Sequence, residues 1–454
     1  MLVRRRVGPW LALAAATILL FLGSAWEDLL WPFQIGYLSS LAAGLGAFLA
    51  LDRHDRTGDV VAGFLLGVSL ASSGVGLPIL AGAAVEVLWM RDRWARIWVV
   101  LAPLAVYAVW WLDFRPSGQA LRSNIPDTPR YVGDIAASAL GGISGLGLDW
   151  GRPLLVGAAL LLVTRLIAPR PIPPRLASML VVALAFWIAT GLSRAQIGQP
   201  GSSRYIYVGA VFILLLAAEM AVGRRALVPA ALAILGVFVA ASVISNVGAL
   251  RDGGRTLRGT DRTVSAELGA LELAGASAPA TYQPDPNRAP QVTAGPYLAA
   301  VRDLGSPAYS PAQIERLTPG YQQAADVVLA DTGGVRLQQG QGGTAPAAGT
   351  PPQVDGQPQG SITPSGGCVT YRPAPVPGAA IDVTVPVAGV SIRSQGTPVT
   401  LLARRFSPFF GNHSLGTVPP RQTAALLVRQ DEADLPWHIR LSSAGPVSAC
   451  SIGS

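Results

Sequence analysis

Apolar residues dominate the first half of the chain, up to about Ser245. A helix that crosses a bilayer needs about 20 apolar residues, or somewhat fewer when it is tilted or packed inside a bundle. On this basis the sequence predicts spans at residues 8–25, 30–51, 59–73, 75–90, 97–112, 153–168, 175–192, 204–222 and 226–245. The predicted fold of residues 1–245 is therefore an α-helical integral membrane bundle of nine spans.

The pattern changes after residue 245. Residues 246–337 contain helical stretches such as "SPAQIERLTPGYQQAADVVLA", and we expect a helical or mixed α/β region there. Residues 338–366 are rich in Gly, Pro and Gln, which is typical of an extended linker. From 367 to 454, short runs such as "AIDVTVP" and "WHIRLSS" alternate with Pro and Gly. Their regular spacing predicts a small antiparallel β-sandwich.

Charged residues make up only 13% of the chain, whereas a soluble domain normally carries about 25%. The formal net charge is +8, and every basic residue is arginine, because the sequence contains no lysine. In a membrane protein, basic cytoplasmic loops explain such a charge without a nucleic acid partner. The absence of lysine beside abundant Ala, Gly and Pro is typical of a GC-rich genome.

The arginine-rich loops indicate which way the chain crosses the membrane. Short basic segments, "VRRRV", "DRHDR", "RDRWAR", "APRPIPPR" and "GRR", occur at every second connection. Because cytoplasmic loops carry the excess of arginine, the N-terminus is predicted to be cytoplasmic. Nine spans then place everything after Ser245 outside the cell. The predicted location is the plasma membrane, with an extracellular C-terminal domain.

Both cysteines, Cys368 and Cys450, lie in this predicted exterior part. Disulfides persist in oxidising compartments, so we expect the two residues to form one. Two free thiols are the alternative. With His54, His413 and His438 as the only histidines, no metal site can be built around the cysteines.

Adjacent acids, Glu27 and Asp28, stand in the stretch "GSAWEDLLWPFQIGY" between two apolar runs. On a helix their side chains point about 100° apart, so they do not form a shared-proton pair. One of them is a candidate general base. Alternatively, both acids lie in solvent at the end of a span and have no chemical role. Trp31 and Gln34 of the same stretch are candidate substrate contacts, although the aromatic residues equally suit a membrane interface.

The segment "SRAQIGQPGSSRYIYVGAVFILLLAAE" places Arg194 and Arg204 on one predicted exterior loop. Tyr205 follows at the start of the next span. Two arginines at the outer surface can hold the phosphate of a lipid-linked donor. Contact with ordinary lipid headgroups is the alternative.

Two further features carry weaker predictions. The exterior loop at about 113–152 is long, and its middle, from Thr128 to about Leu146, has the pattern of an amphipathic surface helix. Glu86 lies within an apolar span, where an ionisable residue is a functional candidate. Its position near cytoplasmic Arg91 also allows it to reach toward solvent.

The acidic motif, the long loop, "SSRYIYVGAVFILLLAA" and the exterior C-terminal β domain together resemble the GT-C superfamily. These are membrane glycosyltransferases that use polyprenyl-phosphate sugars, and the likeness is to actinobacterial mannosyl-, glucosyl- and arabinosyltransferases. "EDLLWPFQIGY" and "ASSGVGLPILAGAAVEVLW" also look like stretches of uncharacterised actinobacterial membrane proteins. The resemblance covers about residues 20–250.

The resemblance implies transfer of a sugar from a polyprenyl-phosphate donor to a cell-wall glycan or glycolipid outside the cytoplasm. Asp28 or Glu27 would be the base, in some members beside a divalent metal ion, and Arg204 or Arg194 would bind the phosphate. Family members usually have more than nine spans and carry the acidic motif after the first one. Either the motif here is the catalytic one, or it belongs to a later loop of a chain that lacks the first spans.

Two other functions stay open from the sequence. A non-catalytic, membrane-anchored protein of the cell envelope, acting as a scaffold or a glycan-binding protein, is the main alternative. A transporter is disfavoured, because the spans carry few ionisable groups and show no evident inverted repeat.

Overall fold

The structure is a computed structural model that describes residues 2–114, 122–169, 171–223, 228–340 and 350–452. The chain divides into two compact units, Met1–Leu257 and Arg258–Ser454. Our sequence-based division placed the first boundary at residue 245. The observed boundary lies twelve residues later, inside a helix that continues without a break from Pro229 to Ala274.

The first unit is helical. Its helices are α1 (Leu2–Val7), α2 (Pro9–Leu20), α3 (Trp26–Leu30), α4 (Ile35–Leu51), α5 (Arg56–Ser72), α6 (Gly76–Trp89), α7 (Arg93–Arg96), α8 (Trp98–Phe114), α9 (Thr128–Ser144), α10 (Gly147–Ile167), α11 (Pro174–Arg194), α12 (Ser203–Ala221) and α13 (Pro229–Ala274). Short 3₁₀ turns at Gly23–Ala25 and Pro32–Gln34 flank α3.

Within the described ranges, six helices are long and apolar enough to cross a membrane. They occupy Pro32–Leu51, Arg93–Phe114, Gly147–Ile167, Pro174–Ile197, Ser203–Ala221 and Pro229–Ser277. The number rises to seven when the bent pair Pro9–Leu20 and Gly23–Leu30, which meet at 48°, is taken as one span. Helices of this kind are compatible with a membrane protein.

The prediction of nine spans is therefore wrong in number, although every predicted segment contains a helix. The difference lies mainly in α5 and α6, which replace the spans predicted at 59–73 and 75–90. α6 has 14 residues and so rises only about 21 Å, whereas a bilayer core is about 30 Å thick. An apolar run bounded by turns cannot by itself distinguish a span from a shorter buried helix.

Buried residues of α4, α5, α6, α9, α11 and α12 form the main core of the first unit. Phe48, Leu66, Ile79, Met179 and Phe212 are nearly or fully buried there. α9 begins at Thr128, as predicted, but it is not a surface helix. One face of it, including Ile135 and Ala139, is buried among the neighbouring helices, and the loop residues 115–121 lie outside the described part of the chain.

Several charged side chains inside this bundle are paired with one another. Glu86 is buried, and its carboxylate accepts a 2.6 Å hydrogen bond from Arg175, which also donates to Asp52 at 2.7 Å. Arg96 and Asp59 form a second buried pair. Glu86 is thus fixed inside the protein and does not reach toward solvent. Pairing and hydrogen bonding of this kind offset the cost of burying a charge.

The second unit combines the end of α13 with three more helices and two antiparallel sheets. The helices are α14 (Ala294–Leu304), α15 (Pro311–Ile314) and α16 (Pro319–Asp331). The strands are β1 (Val335–Gln339), β2 (Val354–Asp355), β3 (Gly360–Ser365), β4 (Cys368–Pro373), β5 (Ala380–Val385), β6 (Val390–Ser394), β7 (Val399–Arg404), β8 (Ser414–Val418), β9 (Thr423–Val428), β10 (Trp437–Ser442) and β11 (Val447–Ser451).

One sheet has the order β1-β9-β6-β11-β4-β3, and the other has the order β2-β5-β10-β7-β8. Side chains alternate in and out along the strands, so Ile381, Val383 and Val385 of β5 are all buried. Both sheets and α16 contribute to one hydrophobic core. The predicted antiparallel strands are confirmed. The segment 338–366, predicted as a linker, contains β2 and β3, and its residues 341–349 lie outside the described ranges.

The predicted disulfide is present between Cys368 and Cys450. Cys368 begins β4 and lies directly opposite Cys450 of β11 in the antiparallel register. The predicted β domain began at residue 367, directly before Cys368. Three of the described strands precede Cys368: β1 crosses from the predicted helical or mixed region into the predicted linker, and β2 and β3 lie within that linker.

Candidate functional site

The turn that carries the acidic motif is held against α13 by a very close backbone contact. A Cβ atom at Gly23 would lie only 1.7 Å from the backbone oxygen of Asn246, so only glycine fits at this position. The backbone N–H of Ser24 donates to Oδ1 of Asn246 at 3.0 Å. The Asn246 amide nitrogen donates in turn to the carbonyl oxygen of Gly142 on α9 at 2.9 Å. One buried side chain therefore links the turn to two helices.

The next residues fix the helix α3 itself. Trp26 packs against Gly253, where a Cβ atom would lie 2.2 Å from the indole ring. The backbone N–H of Glu27 donates to Oγ of Ser203 at 3.0 Å. Ser203 is the first residue of α12, so this bond joins the acidic motif to the start of the "SRYIY" helix.

The side chains of Glu27 and Arg204 form an ion pair. Glu27 Oε2 lies 3.5 Å from Arg204 Nε, with 16% of the Glu27 side chain and 40% of the Arg204 side chain exposed. An acid at the N-terminus of α12 is also favoured by the helix dipole. Arg204 donates as well to Oγ of Ser202 at 3.2 Å. The pair is half open to solvent, so we expect it to contribute only about 0.2–1 kcal/mol to stability.

Asp28 lies next to this pair and is buried, with 3% of its surface exposed. Neither of its carboxylate oxygens has a hydrogen-bond partner among the described residues. The Arg204 charge acts on it at longer range, and so does that of Glu27. A carboxyl buried without a partner costs free energy. Such a cost is expected at a site that a ligand completes.

The two predicted arginines act on the same tyrosine. Burial, with a further contribution from Tyr205, raises the pKa of Tyr131 to about 12, and the positive charges of Arg194 and Arg204 oppose this rise. Tyr205 is buried, and its ring lies 5.8 Å from the Arg204 guanidinium carbon. Arg194 is exposed at the end of α11. Arg194, Arg204 and Tyr205 are therefore close enough to act electrostatically on one buried aromatic residue, and Arg204 also pairs with Glu27.

Gln34 and Trp31, the two remaining predicted substrate contacts, differ in burial. Gln34 is buried, and its Oε1 has no hydrogen-bond partner in the described part of the chain. Trp31 is partly exposed and packs on Phe33, with ring centroids 5.4 Å apart. The roles assigned to all these residues stay predictions, while their positions are now defined.

Sequence reasoning missed three residues that shape the site. Asn246 and Ser203 position the acidic motif, and the charges of both arginines act on Tyr131. Asn246 stands in the otherwise apolar and small-residue stretch "ASVISNVGAL", and an amide at such a place signals a buried hydrogen-bond partner. Nothing local marks Ser203 or Tyr131, whose importance depends on distant contacts.

The described residues do not form a metal site. No group of three or more His, Cys, Asp or Glu side chains among them is arranged to hold an ion. At the acidic motif there are only two carboxylates, and one of them is paired with Arg204. The donors present therefore do not fit the divalent ion that the resemblance allows, and no chemical step is assigned to one.

Neither a comparison with protein-family models nor a search of curated proteins finds a match to this chain.

Proposed function

We propose that this protein is a membrane glycosyltransferase of the GT-C kind, which transfers a sugar from a polyprenyl-phosphate donor to a cell-envelope acceptor. The observation that carries the proposal is the 3.5 Å ion pair between Glu27 and Arg204 beside the unpartnered carboxyl of Asp28. A transfer of this type needs a base for the acceptor hydroxyl and a cation for the departing phosphate. These residues offer both at one place.

The proposed transfer forms one bond and breaks one bond at the anomeric carbon of the donor sugar. The acceptor hydroxyl gives its proton to the Asp28 carboxylate while its oxygen forms a bond to the anomeric carbon of the sugar. The bond from that carbon to the phosphate oxygen breaks, and the phosphate leaves with the electron pair. The guanidinium of Arg204 stabilises the charge that develops on the phosphate. Glu27, already paired with Arg204, orients it as a positioning residue.

The distribution of arginine supports an outer-face site. The acidic motif, the Arg194–Arg204 segment and the second unit all fall on the side opposite the basic loops in the predicted topology. The proposed location is accordingly a plasma membrane, with the C-terminal unit outside. The donor would lie in the bilayer and the acceptor would be a cell-wall glycan or glycolipid.

The test is a glycan profile of cells in which Asp28→Asn replaces the parent protein. Removal of a general base slows such a reaction by about 10²- to 10⁴-fold, so we expect the product glycan to disappear. Asp92→Asn, the same change at an exposed position on the arginine-rich side, is the matched control and should leave the profile unchanged. Membrane fractionation then checks that both variants are inserted equally.

Arg204 provides the second arm of this test. Arg204→Gln should also abolish the product, and Arg204→Lys should restore part of it, because lysine keeps the charge but not the planar fork. An unchanged profile in inserted Asp28→Asn and Arg204→Gln variants contradicts catalysis at this site. That outcome would favour the alternative, a non-catalytic envelope scaffold or glycan-binding protein.

A further inference from the structure

The second unit contains a polar pocket that the proposed transfer does not use. It has a volume of about 640 Å³ and lies between the end of α13, the segment that leads into α15, and the loop after β9. Small-molecule sites typically measure about 300–1,000 Å³. We refer to it as the Glu272 pocket.

Glu272 is held in a fixed orientation at one wall. Its Oε1 accepts hydrogen bonds from the hydroxyl of Tyr297 at 2.6 Å and from the hydroxyl of Ser306 at 2.7 Å. Its Oε2 accepts none from the described residues. The side chain therefore presents one oriented acceptor to the pocket.

The opposite wall is anchored by a buried ion pair. Asp431 binds Arg405 through two bonds of 2.5 and 2.9 Å, and both side chains are nearly inaccessible. Gln430 and Glu432 flank Asp431 in the sequence, and both are exposed and line the pocket. The anchor holds the backbone of Asp431, which carries the exposed amide of Gln430 on one side and the exposed carboxylate of Glu432 on the other.

The base of the pocket is also rigid. A Cβ atom at Gly269 would lie 2.1 Å from the backbone oxygen of Tyr309, so that segment packs directly on α13. Ser310 and Gln313 form a capping box at the start of α15, in which the Ser310 N–H donates to Gln313 Oε1 at 2.8 Å. The amide nitrogen of Gln313 is left to donate to a ligand.

The charged side chains that line the pocket disfavour an acidic ligand. Arg429 donates to the carbonyl oxygen of Leu273 at 3.2 Å, and it is the one cation that lines the pocket among the described residues. Glu272 and Glu432 supply two negative charges, whereas the charge of Asp431 is already neutralised by Arg405. The balance is one negative charge, which disfavours an acidic ligand.

We propose that the Glu272 pocket binds a neutral saccharide. A sugar offers many hydroxyl donors and acceptors, and the pocket offers oriented carboxylates and amides with few large apolar side chains. Glu272 and Glu432 accept from sugar hydroxyls, while Gln313 and Arg429 donate to sugar oxygens. That this saccharide is part of the acceptor rests on the proposed function. The binding itself requires neither donor nor transfer.

The test is isothermal titration of the full-length protein with maltotetraose, mannotetraose and tetragalacturonate. The protein is kept in an amine-oxide detergent, because the head group of a maltoside detergent is itself a saccharide. We expect at least one neutral tetrasaccharide to bind and the acidic one to bind at least about tenfold more weakly. Absence of binding by both neutral probes up to about 10 mM would overturn the proposal.

Two variants locate the site. Glu272→Gln keeps the oxygen that accepts from Tyr297 and Ser306 but removes the charge, so the unit stays folded. Glu272→Gln and Glu432→Gln should each weaken saccharide binding by about tenfold, as expected for the loss of a hydrogen bond to a charged group. Glu315→Gln, an exposed acid outside the pocket, should change nothing. Equal binding by the parent and both pocket variants would refute the assignment.

The titration, combined with the glycan profile of the same variants, separates this inference from the proposed function. Asp28→Asn should abolish transfer and leave saccharide binding intact, whereas Glu272→Gln should weaken binding in a protein whose site at Asp28 is unaltered. If the parent protein binds the saccharide but transfers no sugar, only the proposed enzymatic function is refuted. If it transfers sugar but does not bind the saccharide, only the assignment of the Glu272 pocket is refuted.

Discussion

The disulfide between Cys368 and Cys450 allows a quantitative test of what stabilises the second unit. The perturbation is the double substitution of both cysteines by serine. The two cysteines are 82 residues apart in the sequence, so the bond closes a long loop in the unfolded chain. Both positions are only partly buried, so serine hydroxyls can be hydrated there. The variant tests the cross-link rather than packing.

The loop length sets the expected magnitude. The chain-entropy relation gives a loss of about 15 cal/mol/K for a loop of this size, or about 4.5 kcal/mol at 25 °C. This is an upper bound, since residual structure in the reduced, unfolded chain already restricts the loop. We expect a destabilisation of about 2–4.5 kcal/mol. In a unit of roughly 200 residues this lowers the melting temperature by about 5–15 °C.

The assay is scanning calorimetry of the full-length protein in detergent, with and without a reductant. Reduction should lower the melting transition of the parent protein to that of the double variant and should not alter the variant. Because the chain contains no other cysteine, maleimide labelling counts the thiols without ambiguity. A variant that melts within about 1 °C of an oxidised parent would show that the loop-entropy argument fails here.

Two further predictions concern residues whose surroundings are defined by the fold. Gly23→Ala should destabilise the first unit by about 1–3 kcal/mol, because the added Cβ would overlap the backbone of Asn246. A thermal melt measures this change. Gly157→Ala, at a helical position with open space around it, is the control and should not destabilise the protein. Burial acts to raise the pKa of Asp285, but hydrogen bonds from the Arg288 side chain and from two backbone N–H groups outweigh it and hold the pKa below its ordinary value. A depressed pKa stabilises the fold above the unfolded-state pKa of about 3.9, and this effect is lost as pH falls through the folded-state pKa. Asp285→Asn should therefore destabilise the fold at pH 7 and do so progressively less below about pH 4. Urea unfolding at several pH values measures the difference, and a destabilisation that does not vary with pH would contradict it.

The sequence determined the local elements because they depend on neighbours within one or two turns. Apolar runs located the helices of the first unit, and alternating residues located most strands of the second. With only two cysteines in a predicted exterior domain, Cys368 and Cys450 could be paired correctly. The number of spans was overestimated, because α6 is apolar but has only 14 residues, and α5 is not among the helices that are long and apolar enough to span.

The tertiary structure decided which distant residues meet. Glu27 contacts Ser203 across 176 positions, and Ser24 contacts Asn246 across 222. No periodicity encodes such pairs, since they depend on how whole helices pack. The same is true of Glu86, an isolated acid in an apolar run, which became the partner of Arg175. The sequence thus supplied the acid and the arginine of the candidate site, and helix packing brought them to 3.5 Å.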